Sequence, residues 1–139
     1  MPEEYRKAYP HLSGNRQTMA AMLSAVDEAI GQITAALVER GLRENTLIIF
    51  SSDNGGPAPD RVSRNTPLRA GKGTIYEGGI RVCAFASWPG RIPAGTTISE
   101  PIHAVDWYPT LLKAAGAPLE QRLPLDGLDV WPTLTQGAK

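Results

Sequence analysis

The chain has 139 residues, with 14 basic and 14 acidic side chains and a single cysteine. A chain of this length fits one domain, which buries roughly 68% of the surface that its unfolded form exposes. Because the charges balance and form no basic run, the composition excludes electrostatic attraction to polyanions, and we expect no nucleic-acid partner and no membrane partner. The lone cysteine excludes an internal disulfide and a cysteine-built zinc site.

The first ten residues, MPEEYRKAYP, are charged and interrupted by proline. A signal peptide would be apolar there, so we expect none in this chain. No segment reaches the ~20 consecutive apolar residues of a typical membrane span. Residues 1–14 are therefore interpreted as an N-terminal extension of the domain.

The strongest periodicity lies between Gln17 and Arg40, where apolar residues recur at the spacing that lines one face of a helix. Gly41 then supplies a helix stop. The next segment, TLIIF from Thr46 to Phe50, is a β-branched and aromatic run without polar alternation, which is typical of a buried strand in a parallel sheet. A helix followed by a buried strand indicates an α/β fold with a mostly parallel sheet and flanking helices.

Two further elements are predicted in the second half of the chain. A strand is expected from Ile80 to Trp88, and a short helix from Asp106 to Ala115 with Asp106 as its N-cap. The tail LPLDGLDVWPTL shows little periodicity. Residues 55–79, between the two predicted strands, are rich in glycine and proline, and loops of that length tend to be functional or disordered.

Reactive side chains concentrate at the end of the first strand and in the loop that follows. Asp53 and Asn54 come directly after the strand, where ligands bind in open α/β sheets. A carboxylate and an amide oxygen are donors that calcium or magnesium prefers. Spacing alone favours an ordinary turn, because Asp-Asn-Gly-Gly is turn-forming and calcium takes about 6–8 oxygen ligands.

Lys72 lies between two glycines in AGKGT, where an anion could approach its ammonium group closely. The segment matches neither a P-loop nor a dinucleotide fingerprint, and a solvated loop lysine is the simpler interpretation. Glu77 could be a ligand or a base, but a cap or a salt bridge to Arg69 or Arg81 is at least as well supported. Cys83 is expected to be a small buried hydrophobe in the second strand.

The order of these segments carries more information than any one of them. MLSAVDEAIGQITAALVERGLRENTLIIFSSDNGG, PLRAGKGTIYEGGIRV, HAVDWYPTLLKAAG and LDGLDVWPTL follow one another with plausible gaps. In this order they resemble the type I sulfatases, most closely the arylsulfatase B (N-acetylgalactosamine-4-sulfatase) group. The resemblance covers nearly the whole chain from about Asn15 onward.

The resemblance implies roles for three residues. Asp53 and Asn54 would be calcium ligands, and Lys72 would bind the sulfate group of the substrate. The family's nucleophile is a formylglycine made within a C/S-x-P-x-R motif. Cys83 is followed by Ala-Phe-Ala-Ser and not by x-Pro-x-Arg, so we expect this chain to lack the nucleophile. It also lacks the N-terminal acidic strand and the central segment that complete the family's site.

The implied fold is a partial alkaline-phosphatase-like sandwich that forms a single partial catalytic domain over residues 1–139. Residues 15–54 would form the helix, the strand and the metal turn, residues 55–79 the active-site loop, and residues 80–139 the remaining strand, helix and turn segment. We expect no arylsulfatase activity from the isolated chain, calcium binding that is weak or absent, and a sulfate ester substrate only if the missing part completes the site.

Two other interpretations stay open on sequence grounds. The chain could be a non-catalytic binding or oligomerisation module derived from a sulfatase, in which case its open sheet edges would favour a homo-oligomer if it folds alone. It could also belong to a related phosphodiesterase or phosphonate hydrolase. Relatives are often exported or lysosomal, which leaves the location of this chain open.

Overall fold

The computed structural model describes residues 3–57 and 62–137, in which backbone contacts define two compact units, Met1–Phe85 and Ala86–Lys139. In chain order, the helices are α1 (Glu3–Lys7), α2 (Gly14–Glu39), α3 (Glu77–Ile80), α4 (Trp107–Ala114) and α5 (Trp131–Gln136), and the strands are β1 (Ile48–Ser51) and β2 (Ala84–Ser87). Helices and strands alternate along the first unit, as expected for an α/β chain.

The long predicted helix is confirmed as α2, which begins three residues before the expected start. The helix ends at Glu39, two residues before a glycine that adopts a left-handed backbone conformation. Gly41 adopts a left-handed φ of 65°, its N–H donates to the Val38 carbonyl at 3.0 Å, and the Leu42 N–H donates to the Leu37 carbonyl at 2.8 Å. These bonds satisfy carbonyl groups that the end of a helix leaves unpaired.

The short helix α1, which the sequence did not predict, is held to α2 by polar side chains. The Arg6 guanidinium donates to the Thr18 hydroxyl at 2.8 Å, and the Tyr5 hydroxyl donates to the Glu28 carboxylate at 2.6 Å. Because the hydrogen bond to this carboxylate stabilises the protonated form of the phenol, it raises the pKa of Tyr5. The segment at residues 3–7 is thus part of the first unit's packing.

Strands β1 and β2 are hydrogen-bonded neighbours. The Ser52 N–H donates to the Cys83 carbonyl at 3.1 Å, and the Phe50 and Phe85 rings stack with centroids 4.8 Å apart. Pairing of 52 with 83 and of 50 with 85 is antiparallel, so the expected parallel pairing is wrong for these two strands. An apolar run indicates that both faces of a strand are covered, but it does not encode the direction of its neighbour.

The second strand is shorter than the predicted range of 80–88. Ile80 ends α3, so the strand begins only at Ala84. Cys83 precedes the strand and is exposed, which corrects the expectation of a buried cysteine. The strand starts later than predicted because residues 77–80 form a turn of helix, whose two glycines are buried.

In the second unit, Asp106 organises the start of α4. Asp106 stands at the N-cap position of α4, as predicted, but its side chain makes no capping hydrogen bond to that helix. It is also the last residue of a 3₁₀ turn at Ala104–Asp106. Its carboxylate accepts from the His103 N–H at 2.7 Å and from the Leu128 N–H at 2.9 Å. The Asp106 carboxylate therefore connects the C-terminal segment at Leu128 to this 3₁₀ turn.

Thr110 makes the second connection between α4 and the tail. Its side chain is fully buried, donates to the Asp106 carbonyl at 2.6 Å and accepts from the Val130 N–H at 2.9 Å. The segment that it holds leads into α5, a helix that the sequence did not predict because six residues carry too little periodicity. Trp131 at its start packs edge-to-face on Trp88 with centroids 5.6 Å apart.

A salt bridge adds to this connection in the second unit. The Lys113 ammonium lies 2.8 Å from the Asp129 carboxylate. Burial raises the pKa of Asp129, but the hydrogen bond from Lys113, the Trp131 N–H and the lysine charge together outweigh it, so the pKa is lowered. The ion pair therefore favours the charged carboxylate.

Few apolar side chains in the described residues are buried, among them Ala21 in the first unit and Leu134 in the second. Large apolar side chains along α2 and β2 remain about half exposed, namely Met22, Leu23, Val26, Ile33, Val38 and Phe85. Three of them, Leu23, Val26 and Phe85, line a groove of about 440 Å³ together with Ile30, Phe50 and the polar residues Tyr9, Ser24, Asp27 and Glu28. We call this surface the α2–strand face.

The apolar character of α2 has a second consequence. Within the described residues, Gly14–Glu39 is the one helix whose length and apolar content would suffice for a membrane crossing. The sequence did not indicate a membrane span here, because acidic and polar residues interrupt the apolar residues of this helix. One such helix near an N-terminus is weak support for a membrane span, because core helices of soluble proteins meet the same criteria.

Candidate functional site

Strand β1 delivers the first candidate side chains. After Ser51 the chain leaves the strand, and a tight turn follows in which the Ser52 hydroxyl donates to the Asn54 carbonyl at 2.8 Å. Asp53 is exposed and Asn54 is half-buried. The carboxylate and the amide thus lie at the end of a strand, as the sequence predicts. Residues 52–56 are called the strand-end turn below.

The second candidate segment, residues 69–74, is called the lysine loop and is bonded to the strand-end turn through the backbone. The Lys72 N–H donates to the Gly56 carbonyl at 3.2 Å. A second bond, from the Gly55 N–H to the Gly79 carbonyl at 2.8 Å, joins the strand-end turn to α3. Asp53, Asn54 and Lys72 therefore belong to backbone segments that contact each other directly, although at least 18 positions separate Lys72 from the other two in the sequence.

Glycine makes this close approach possible. A Cβ atom added at Gly55 would overlap the Gly78 carbonyl oxygen and would lie 2.7 Å from the Gly78 carbonyl carbon. At Gly79 it would lie 2.7 Å from the Gly71 carbonyl oxygen. Real Cβ atoms do not approach backbone atoms this closely, so these glycines are required by the contact between backbones.

A side chain, Asn65, adds three hydrogen bonds between the same segments. Its Oδ1 accepts from the Gly56 N–H at 3.1 Å, while its Nδ2 donates to the Gly56 carbonyl at 2.8 Å and to the Ala70 carbonyl at 3.0 Å. No role was expected for Asn65 from the sequence. Its only local signal is that asparagine favours turns, and its partners are five and nine residues away.

The charges around Lys72 show which cation is available to a ligand. The Arg69 guanidinium lies over the Tyr76 ring, 3.8 Å from its centroid, and Arg81 forms a salt bridge with Glu77 at 3.1 Å. Of the alternatives for Glu77, the structure therefore shows the salt bridge to Arg81. Lys72 is exposed, and among the described residues it forms no ion pair, so its ammonium group is free to meet an anion.

The oxygen donors of the strand-end turn have the right chemistry for a calcium site but are too few. Asp53 and Asn54 together offer three side-chain oxygens, whereas calcium takes about 6–8 oxygen ligands. In residues 3–57 and 62–137 no group of three or more His, Cys, Asp or Glu side chains could hold a metal ion. The two residues therefore fit one side of a calcium site, whose other ligands would come from elsewhere.

The fold therefore defines the class of the protein as α/β, with a turn that carries oxygen donors at a strand end and a backbone bond from that turn to a loop with an exposed lysine. The family model described as Sulfatase matches residues 1–117. The chain belongs to the sulfatase family.

The curated relatives of this chain are sulfatases whose names indicate several different specificities. It is 44% identical to arylsulfatase J of Mus musculus over 99% of this chain and 22% of that protein. It is 43% identical to arylsulfatase A of Homo sapiens over 91% of this chain and 26% of that protein. It is 40% identical to N-acetylgalactosamine-6-sulfatase of Canis lupus familiaris over 81% of this chain. The family expectation is confirmed, while these relatives do not single out the 4-sulfatase group.

Solved structures give the same result for the fold. Ps i-CgsB, crystallised with k-i-k-neocarrahexaose, is 41% identical and superposes with a TM-score of 0.89, covering 95% of this chain and 29% of that one. The sulfatase PsFucS1 from Pseudoalteromonas sp. is 38% identical with a TM-score of 0.73, over 83% of this chain and 24% of that one. The α/β class is thus confirmed. The chain spans about a quarter of the length of the relatives that it matches.

Proposed function

We propose that this chain contributes part of the active site of a sulfuric ester hydrolase. Asp53 and Asn54 would supply two calcium ligands, and Lys72 would bind the substrate sulfate. The observation that carries this proposal is the hydrogen bond from the Lys72 N–H to the Gly56 carbonyl, 3.2 Å long. This bond keeps the backbone of Lys72 next to the turn that carries Asp53 and Asn54, which supports a site in which the lysine and these oxygen donors would serve one sulfate group.

The proposed roles follow from charge. Hydrolysis of a sulfate ester places negative charge on the sulfate oxygens, and positive charge held nearby stabilises it. In this family calcium supplies Lewis-acid stabilisation and a formylglycine supplies the nucleophile. Within this chain, Lys72 would orient the sulfate group, while Asp53 and Asn54 would hold one side of the calcium ion.

We expect the isolated chain to show no turnover, because it spans about a quarter of the length of its relatives and Asp53 and Asn54 are too few to complete a calcium site. One serine does begin the C/S-x-P-x-R pattern, in Ser87-Trp88-Pro89-Gly90-Arg91, and it is the last residue of β2. The test is hydrolysis of a chromogenic aryl sulfate by purified protein, with calcium present and with Lys72→Ala protein from the same preparation as control. Turnover that Lys72→Ala abolishes would contradict this prediction. Equal turnover by both proteins would identify a contaminating sulfatase, and in that case the expected result is its loss on further purification.

Calcium binding by the isolated chain is proposed to be weak or absent, because the affinity of a site for calcium is lower when fewer charged ligands are present. The finer features of the fold are proposals of the same kind. We infer an alkaline-phosphatase-like sandwich with a mostly parallel sheet, in which β1 and β2 form an antiparallel edge pair. Membership in the arylsulfatase B group is likewise a proposal, supported by the motif spacing.

The α2–strand face favours a second property, self-association. In a full-length relative, about three quarters of the protein lies outside the part that this chain matches, and that remainder is the natural cover for the exposed apolar side chains. We propose that the chain, when purified alone, buries this face against a second copy, as a non-catalytic oligomerisation module would.

We expect light scattering to show a dimer or a larger species, and Leu23→Glu to shift the distribution toward monomer because it places a charge on the apolar face. The matched control is Leu123→Glu, at a leucine of the second unit that is 70% exposed, compared with 58% for Leu23. A monodisperse monomer of the unsubstituted chain, or an equal shift by both variants, would contradict self-association through this face.

A further inference from the structure

We propose that Asn65 is a positioning residue that fixes the strand-end turn against the lysine loop. This inference rests on the proposed function for its catalytic meaning, but its structural content is independent of it. The side chain pairs with both backbone groups of Gly56 and with the Ala70 carbonyl. Gly56 lies two residues after Asn54, and Ala70 lies two residues before Lys72, so one amide bridges the two candidate segments.

The hydrogen-bond partners determine which way this amide points. Two of them, the Gly56 and Ala70 carbonyls, can only accept, so they require the Nδ2 donors. The third, the Gly56 N–H, can only donate and requires Oδ1. A rotated amide would place Oδ1 against carbonyl oxygen, so aspartate, which has the same shape but no donor, cannot replace asparagine here.

Packing around Gly56 shows that the site is built for this side chain. A Cβ atom added at Gly56 would lie 2.5 Å from the Ser63 hydroxyl and 3.2 Å from Asn65 Oδ1. The Ser63 N–H in turn donates to the Pro57 carbonyl at 3.0 Å. Absence of a side chain at 56 therefore allows the amide to reach the backbone.

Backbone strain at Ala70 is a separate observation with the same implication. Ala70 has a φ of 63°, a left-handed conformation that costs an L-residue free energy and persists only where its surroundings impose it. The Nδ2 bond from Asn65 holds the carbonyl of this residue. The same amide thus maintains the bend that leads into Gly71 and Lys72.

The first test measures amide hydrogen exchange in the full chain for the unsubstituted protein and for Asn65→Asp. We expect the protection of the Lys72 and Gly78 amides to fall about tenfold or more, because their acceptors lie beside the lost donors. Amides within α2 should keep their protection. Asn45→Asp, at an exposed asparagine of the turn after α2, is the matched control and should change neither set.

Asn65→Ala is the second variant, because it removes the three bonds without adding a charge. It should reduce the protection of Lys72, Gly78 and Gly56 together. Unchanged protection at Lys72 in both Asn65 variants would overturn the proposal. Equal loss throughout α2 would also overturn it, since the side chain would then serve global stability and not the position of these segments.

A functional readout separates positioning from a purely structural contact. This chain would replace the matching segment of human arylsulfatase A, to which it is 43% identical. In that chimera we expect Asn65→Asp to lower kcat/KM for an aryl sulfate about 100-fold, the effect of a small misplacement of binding groups. The melting temperature should change no more than in Asn45→Asp.

The outcomes distinguish the two levels of inference. If exchange increases as expected and kcat/KM matches that of Asn45→Asp, the amide is structural and the positioning role is overturned. If the unsubstituted chimera folds but is inactive, the proposed function fails, and the exchange experiment alone then confirms or overturns the bridge between the segments.

Discussion

Gly55→Ala is expected to lower the free energy of unfolding by about 3 kcal/mol, the upper part of the range for overpacking. The added methyl group would overlap the Gly78 carbonyl oxygen, and neither atom belongs to a flexible side chain that could move aside. Relief requires the strand-end turn to separate from α3, which breaks the bond from the Gly55 N–H to the Gly79 carbonyl.

Urea unfolding followed by circular dichroism, at one fixed protein concentration, measures this effect. Gly31→Ala is the matched control. Gly31 lies inside α2 with open space around its missing Cβ, so alanine should raise the free energy of unfolding by roughly 0.5–1 kcal/mol. Similar small changes in both variants would show that the contact between residues 55 and 78 is looser than the structure indicates.

The contact at Gly55 matters for function because it helps to determine which segments meet. Asp53 and Asn54 are turn residues like many others when taken alone, and Lys72 is an exposed lysine. Their chemistry depends on the backbone bonds that hold the strand-end turn, the lysine loop and α3 together. The proposed site therefore depends on Gly55 and Asn65 as well as on the residues proposed to bind calcium and sulfate.

The sequence predicted the features that are encoded locally. The helix α2 follows from its apolar spacing and Gly41, and the strand-end turn follows from an apolar run that ends in Ser-Asp-Asn-Gly. The family followed from the order of four motifs, which single residues could not provide. Each of these signals lies within a window that local propensity and patterning describe well.

The features that the sequence did not predict depend on partners far along the chain. The antiparallel direction of β2 is set by pairing across more than thirty residues. The role of Asn65 depends on Gly56 and Ala70, and α5 is held by Thr110, which is 20 residues before Val130. Asparagine and threonine are common turn and helix residues, so nothing in their local context signals a bridging role.

Apolar side chains of the α2–strand face stay exposed although the backbone matches that of a solved sulfatase relative. Leu23, Val26 and Phe85 are each 45% exposed or more, although the chain superposes on Ps i-CgsB with a TM-score of 0.89. A retained backbone with uncovered apolar side chains is what a segment of a larger domain should show. This supports testing the site in the context of a complete domain.

The most direct test of the central proposal is therefore turnover of an aryl sulfate by the chimera with human arylsulfatase A, after the recipient enzyme has been shown to hydrolyse the same ester. We predict that the chimera is active, that Lys72→Ala lowers kcat/KM by about 10²–10³, as for loss of a group that stabilises developing charge, and that the exposed helix-α1 control Lys7→Ala has no effect. A folded chimera without turnover, or a Lys72→Ala chimera as active as its parent, would contradict the assignment of this chain's site to sulfate ester hydrolysis.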